Sequence, residues 1–87
     1  MTTVYKYPCY RGFCEQGVEM PAGAQILSAA YQSGQIVVYA LVDSEAPVET
    51  RSVWVYPTGR EVVLAESAKF IGTVRTDIGL MFHIFAA

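Results

Sequence analysis

Few residues in this chain have the chemistry for catalysis. His83 is the only histidine. General-base work would need it beside a nucleophile and an orienting acid. Ser52, Thr58 and Cys9 are the candidate nucleophiles, and Asp43 and Asp77 the candidate acids, but nothing in their spacing joins them. His83 sits among large apolar residues in Leu80-Met81-Phe82-His83-Ile84-Phe85, which favours a hydrogen-bonded or half-exposed sheet histidine. Cys9 and Cys14 are the only cysteines. A metal centre needs about four ligands, so two thiols and a distant His83 predict plain thiols and no metal. A cross-strand bridge stays open if residues 9–14 turn tightly around Arg11-Gly12. Thr58-Gly59-Arg60 could turn backbone N–H groups towards an anion, but it lacks the length and glycines of a phosphate loop. No enzyme and no cofactor are expected.

Binding is the better-supported chemistry. The aromatic residues are Tyr5, Tyr7, Tyr10, Tyr31, Tyr39, Trp54 and Tyr56, with Phe13, Phe70, Phe82 and Phe85. Tyr and Trp join a large apolar body to a polar tip, which suits interfaces. Most should fill a small β core. Trp54 and Tyr56 face away from Val53 and Val55 and are expected on a second surface. Arg51 lies on the opposite side of that strand from Trp54, so a joint patch would need the sheet to twist. The candidate binding residues are Arg51, Trp54, Tyr56, Thr58, Gly59, Arg60 and His83.

These residues must be positioned by short strands. Residues 36–42, Ile-Val-Val-Tyr-Ala-Leu-Val, form an uncharged run bounded by turn residues. The run is short for a helix and rich in β formers, so it predicts a central strand covered on both faces. Residues 26–31 are the other arm of its hairpin, joined through Gln32-Ser33-Gly34-Gln35. Small Ser28, Ala29 and Ala30 leave room for a close neighbour, expected to be an aromatic such as Trp54 or Phe82 rather than a ligand.

Before this hairpin come an edge strand over residues 4–8 and a short strand over 17–20. An irregular stretch separates them, and a turn at Pro21-Ala22-Gly23-Ala24 follows. After it, Pro47 stops the chain and residues 50–56 resume as a strand. Pro57-Thr58-Gly59-Arg60 turns. Residues 61–69 predict a short strand extension at Val62-Val63-Leu64 followed by a loop. Residues 70–76 form a strand whose internal Gly72 marks a bulge or a close backbone approach. Asp77-Ile78-Gly79 turns into a last strand over 80–85, with Leu80, Phe82 and Ile84 on one face and Met81, His83 and Phe85 on the other.

The sum is a single all-β domain over residues 1–87. It predicts a small antiparallel sandwich or part-open barrel of six to seven short strands with at most one helical turn.

Composition narrows the function classes. The chain has 87 residues, 53% apolar and 16% charged, with net charge −2; an average domain is about 25% charged. That is more apolar material than so small a core easily hides, which predicts a homo-oligomer. The basic residues are scattered, so no nucleic-acid partner is expected. There is no signal-like start and no apolar run long enough for a spanning helix, so no membrane is expected and the protein is placed in the cytoplasm.

With the segments placed, the chain resembles a family of small uncharacterised proteins carried by phages, prophages and their bacterial hosts. The resemblance rests on Lys6-Tyr7-Pro8, Pro21-Ala22-Gly23-Ala24-Gln25-Ile26-Leu27, Ala40-Leu41-Val42-Asp43, Glu45-Ala46-Pro47 and Glu49-Thr50-Arg51. It continues through Thr58-Gly59, Phe70-Ile71-Gly72-Thr73 and Phe82-His83-Ile84-Phe85. Members tend to read Thr-Gly-His where this chain has Thr58-Gly59-Arg60, and the stretch over residues 9–16 is longer here. The resemblance implies no activity. It does imply a setting: a mobile-element protein acting on a host protein, for example as an anti-CRISPR-like inhibitor of a defence system in the host cytoplasm. The alternative is a homo-oligomer that captures a nucleotide-like small molecule, with Tyr or Trp stacking and Arg holding charge.

Overall fold

The structure is a computed structural model that describes residues 1–12 and 14–87, so Phe13 lies outside the described residues. It contains seven strands and no helix among those residues: β1 (Thr2–Cys9), β2 (Glu15–Pro21), β3 (Gln25–Gln32), β4 (Gln35–Asp43), β5 (Val48–Pro57), β6 (Lys69–Arg75) and β7 (Met81–Ala86). All pairings are antiparallel. One sheet has the order β1-β4-β3 and the other β2-β5-β7-β6. The expected all-β sandwich of six to seven strands is therefore present, with seven.

The apolar run over residues 36–42 is the middle strand of the three-stranded sheet. It turns back on β3 through Ser33 and Gly34, whose φ values of 51° and 79° are those a two-residue hairpin loop requires. Ile36, Val38, Ala40 and Val42 point inward and are buried. Across from them, β5, β6 and β7 contribute Val53, Val55, Val74, Phe82, Ile84 and Ala86. Met20 and Ala24 pack at one end with Ala40 and Val42. Each Val, Ile, Met or Phe side chain so taken from water stabilises the domain by about 1.5–3 kcal/mol.

The sheets come closest along β3 and β6. Gly72 sits at a register shift in β6, and a Cβ placed on it would lie 3.7 Å from the Cβ and the backbone nitrogen of Ala29. Gly72 is thus both a bulge and a close approach, as its place inside a strand suggests. The close neighbour of Ala29 is this glycine backbone, while Trp54 faces the other way; Ala29 also packs against the core cluster that holds Phe82. Further along the seam, the Tyr31 hydroxyl donates to Asp77 Oδ1 at 3.3 Å.

The expected strand extension at Val62-Val63-Leu64 does not form; residues 61–65 are irregular and lead to a turn closed by Ala68 N donating to Ala65 O. The end of β5 is already paired with β7, as far as Pro57 opposite Phe82. Val63 satisfies its backbone on a side chain instead. Its N–H donates to the Tyr56 hydroxyl at 3.2 Å, and its carbonyl accepts from that hydroxyl at 2.9 Å.

Candidate functional site

The outer face of the four-stranded sheet gathers most of the candidate residues. Register places Trp54 opposite Phe85 and Tyr56 opposite His83 on β5 and β7, and Phe70 opposite Phe85 and Thr73 opposite His83 on β6 and β7. Strand alternation then puts all six on the side away from the core.

His83 is bracketed by two hydroxyls. Thr58 Oγ1, in the turn after β5, is 2.7 Å from Nε2, and Thr73 Oγ1 is 3.0 Å from Nδ1. Each hydroxyl can donate or accept, so either tautomer of the ring keeps both bonds. The geometry fixes the ring in a half-buried position. Thr58 does join His83, but the third member is a threonine, and neither Asp43 nor Asp77 completes a catalytic arrangement: Asp43 faces the N-terminus at 3.5 Å and Asp77 faces Tyr31.

Trp54 and Tyr56 lie on this second surface, as their alternation predicts, but they are covered. They are only 3% and 5% exposed. The strap over residues 61–68 crosses this face and is pinned through Val63 to Tyr56. Large apolar residues nevertheless remain open around His83. Val63 is 68% exposed and Phe70 60%. Phe70 stands edge-on to Phe85 with ring centroids 5.7 Å apart. Leu80 and Met81, both exposed, line a shallow hollow of about 320 Å³ with Pro57, Thr58 and Phe82. Gly59, with φ 90°, and exposed Arg60 follow Thr58 in the same turn.

Arg51 is not part of this surface. It points between the sheets at the other end of β5. Its Nε donates to Ala87 O and its Nη1 to Ala24 O, both at 2.7 Å, and Nη1 lies 3.6 Å from Glu49 Oε1. It lines an open groove of about 600 Å³ together with Gln25, Ile26, Ser67, Lys69, Ile71 and Ala86. This groove had no sequence signal, because its walls come from four separate segments.

The cysteines separate. Cys9 is buried in the core, and burial pushes its thiol up to about 11. Cys14 is half-buried before β2, and both are free thiols. No group of three or more metal-ligating side chains exists among the described residues. No helix among them is long and apolar enough to cross a membrane.

Fold and surface together define a small β sandwich whose four-stranded sheet keeps large apolar side chains exposed on its outer face. The family model described as Domain of unknown function (DUF7352) matches residues 1–87, and the chain belongs to that family. No curated protein and no solved structure matches the chain.

Proposed function

We propose that the chain is a protein-interaction module that binds its partner through the outer face of the four-stranded sheet. One observation carries this reading. Phe70, Val63, Leu80 and Met81 stay exposed around the polar cluster of His83, Thr58 and Thr73. An apolar surface with hydrogen-bonding groups at its centre and charges at its rim, here Arg60 and Arg75, is what a protein partner buries. Trp54 and Tyr56 act from beneath, as a rigid floor under the strap. The resemblance to phage- and prophage-borne proteins suggests a host protein as partner and inhibition of a host defence system as the purpose.

The test is capture of a partner from host lysate by the wild-type chain, repeated with Met81→Glu and with Leu41→Glu. Leu41 is exposed on the other sheet. The reading expects Met81→Glu to lose the captured protein and Leu41→Glu to keep it. Loss with Leu41→Glu alone would move the interface to the three-stranded sheet and overturn the assignment of this face.

A further inference from the structure

We propose that the groove between Arg51 and Lys69 binds a small amphiphilic carboxylate, its head on the two cations and its apolar body against Ile26, Ile71 and Ala86. This site is separate from the outer face and does not depend on the interaction reading.

The groove holds more polar capacity than the fold uses. Arg51 spends Nε on Ala87 O and Nη1 on Ala24 O, with Glu49 Oε1 3.6 Å from Nη1. Nη2 has no partner among the described residues and is not sealed from solvent. Lys69 makes no ion pair and no side-chain hydrogen bond among those residues, and the same holds for the hydrogen-bonding groups of Ser67 and Gln25. Two cations, a hydroxyl and an amide therefore share one groove with bonds still to make.

Arg51 is also held ready. Two main-chain oxygens at 2.7 Å fix the plane of the guanidinium before any ligand arrives, which spares the ordering cost of a free side chain. A planar fork with one free arm matches a carboxylate, and Lys69 adds a second charge. Glu49 meets Arg51 on Nη1, leaving Nη2 as the anion's point of approach. The remaining wall is apolar, with Ile26 from one sheet and Ile71 and Ala86 from the other. The volume of about 600 Å³ falls in the usual range for small-ligand sites.

The experiment is a backbone amide NMR titration of the whole chain with benzoate, benzyl alcohol and inorganic phosphate. Benzoate should shift the amides of Ala24, Ile26, Ile71 and Ala86 and saturate at millimolar concentration. Benzyl alcohol, which has the same ring without the charge, should bind at least about tenfold more weakly. Phosphate, with charge but no apolar body, should also bind more weakly. Lys69→Gln, at an exposed position that leaves the Arg51 bonds intact, should weaken benzoate about fivefold while the thermal melt stays unchanged. The proposal fails if benzoate leaves these amides unmoved, if benzyl alcohol or phosphate binds as tightly, or if Lys69→Gln binds benzoate like wild type.

Discussion

Thr58 Oγ1 lies 2.7 Å from His83 Nε2 although the residues are 25 positions apart. The contact exists because β5 and β7 are ladder neighbours, so the turn that follows β5 folds beside the middle of β7. With Thr73 on the other ring nitrogen, the imidazole has both its hydrogen-bonding positions filled. Thr58→Val should remove one partner and lower unfolding stability by about 1 kcal/mol. Thr73→Val should cost a similar amount. Urea denaturation measures both; midpoints equal to wild type would mean that the hydroxyls contribute nothing.

Val38 is 0% exposed and faces Val53 and Val55 across the core. Val38→Asp would place an unpaired carboxylate there, at a cost of several kcal/mol, comparable to the whole stability of a small domain. The variant should be unfolded or insoluble. A melting curve like that of wild type would show that β4 is not central to stability.

Gly72 separates close approach from conformational need. Its φ is not in the left-handed region and its added Cβ would meet Ala29 at 3.7 Å, an ordinary contact. Gly72→Ala should therefore change stability by less than about 1 kcal/mol, whereas Gly72→Leu should push the seam apart and cost about 1–3 kcal/mol. Equal denaturation midpoints for the two variants would show that the seam is loose.

The Cys9 thiol is raised by burial from 9.0 to about 11. Its protonated form is the one the fold accommodates. The unfolded chain ionises first, so this contribution is intact below pH about 9 and is lost as pH rises to about 11. Thermal melts should fall across that window, and Cys9→Ala should flatten the part due to this group. At pH 8, iodoacetamide should label half-buried Cys14 before Cys9; the reverse order in mass spectrometry would contradict the burial.

The free strand edges predict self-association. β3 is braced against β6 along the seam, while β1 and β2 end their sheets with a ladder partner on one side only. Unpaired edges and open apolar faces invite a second copy. Light scattering coupled to size exclusion should give a mass at least twice that of the 87-residue chain. A monomer over a wide concentration range would refute this.

Much of this fold could be read from residues alone, because its signals are local. The uncharged run over 36–42 and the Ser33-Gly34 turn define the β3–β4 hairpin without reference to anything distant. The alternation around Val53 and Val55 correctly sent Trp54 and Tyr56 to the other face. What covers them was not legible, since residues 61–68 have no period and dock through one hydroxyl.

The Thr73–His83 pair was within reach. Once Asp77-Ile78-Gly79 is taken as the turn, a hairpin centred there sets Thr73 opposite His83. Thr58 was not reachable, because β5 and β7 are separated by β6 in the chain. Neither was the groove at Arg51, which depends on how two sheets are stacked.

The order of pairing bears on the birth of the protein. β1 pairs only with β4, and β2 only with β5, so each is made well before its partner; Thr2 waits for Asp43 and Glu15 for Trp54. At about 5–20 residues per second, the ribosome leaves each segment without its partner for roughly 2–8 s. During that interval both are naked β templates open to any passing chain. Lys6, Pro8, Glu15, Glu19 and Pro21 sit in these two strands, and charge and proline are what discourage such encounters. The early strands thus carry a safeguard for nascent chains, whereas the uncharged run of β4 over residues 36–42 is synthesised directly behind the β3 arm on which it can close at once.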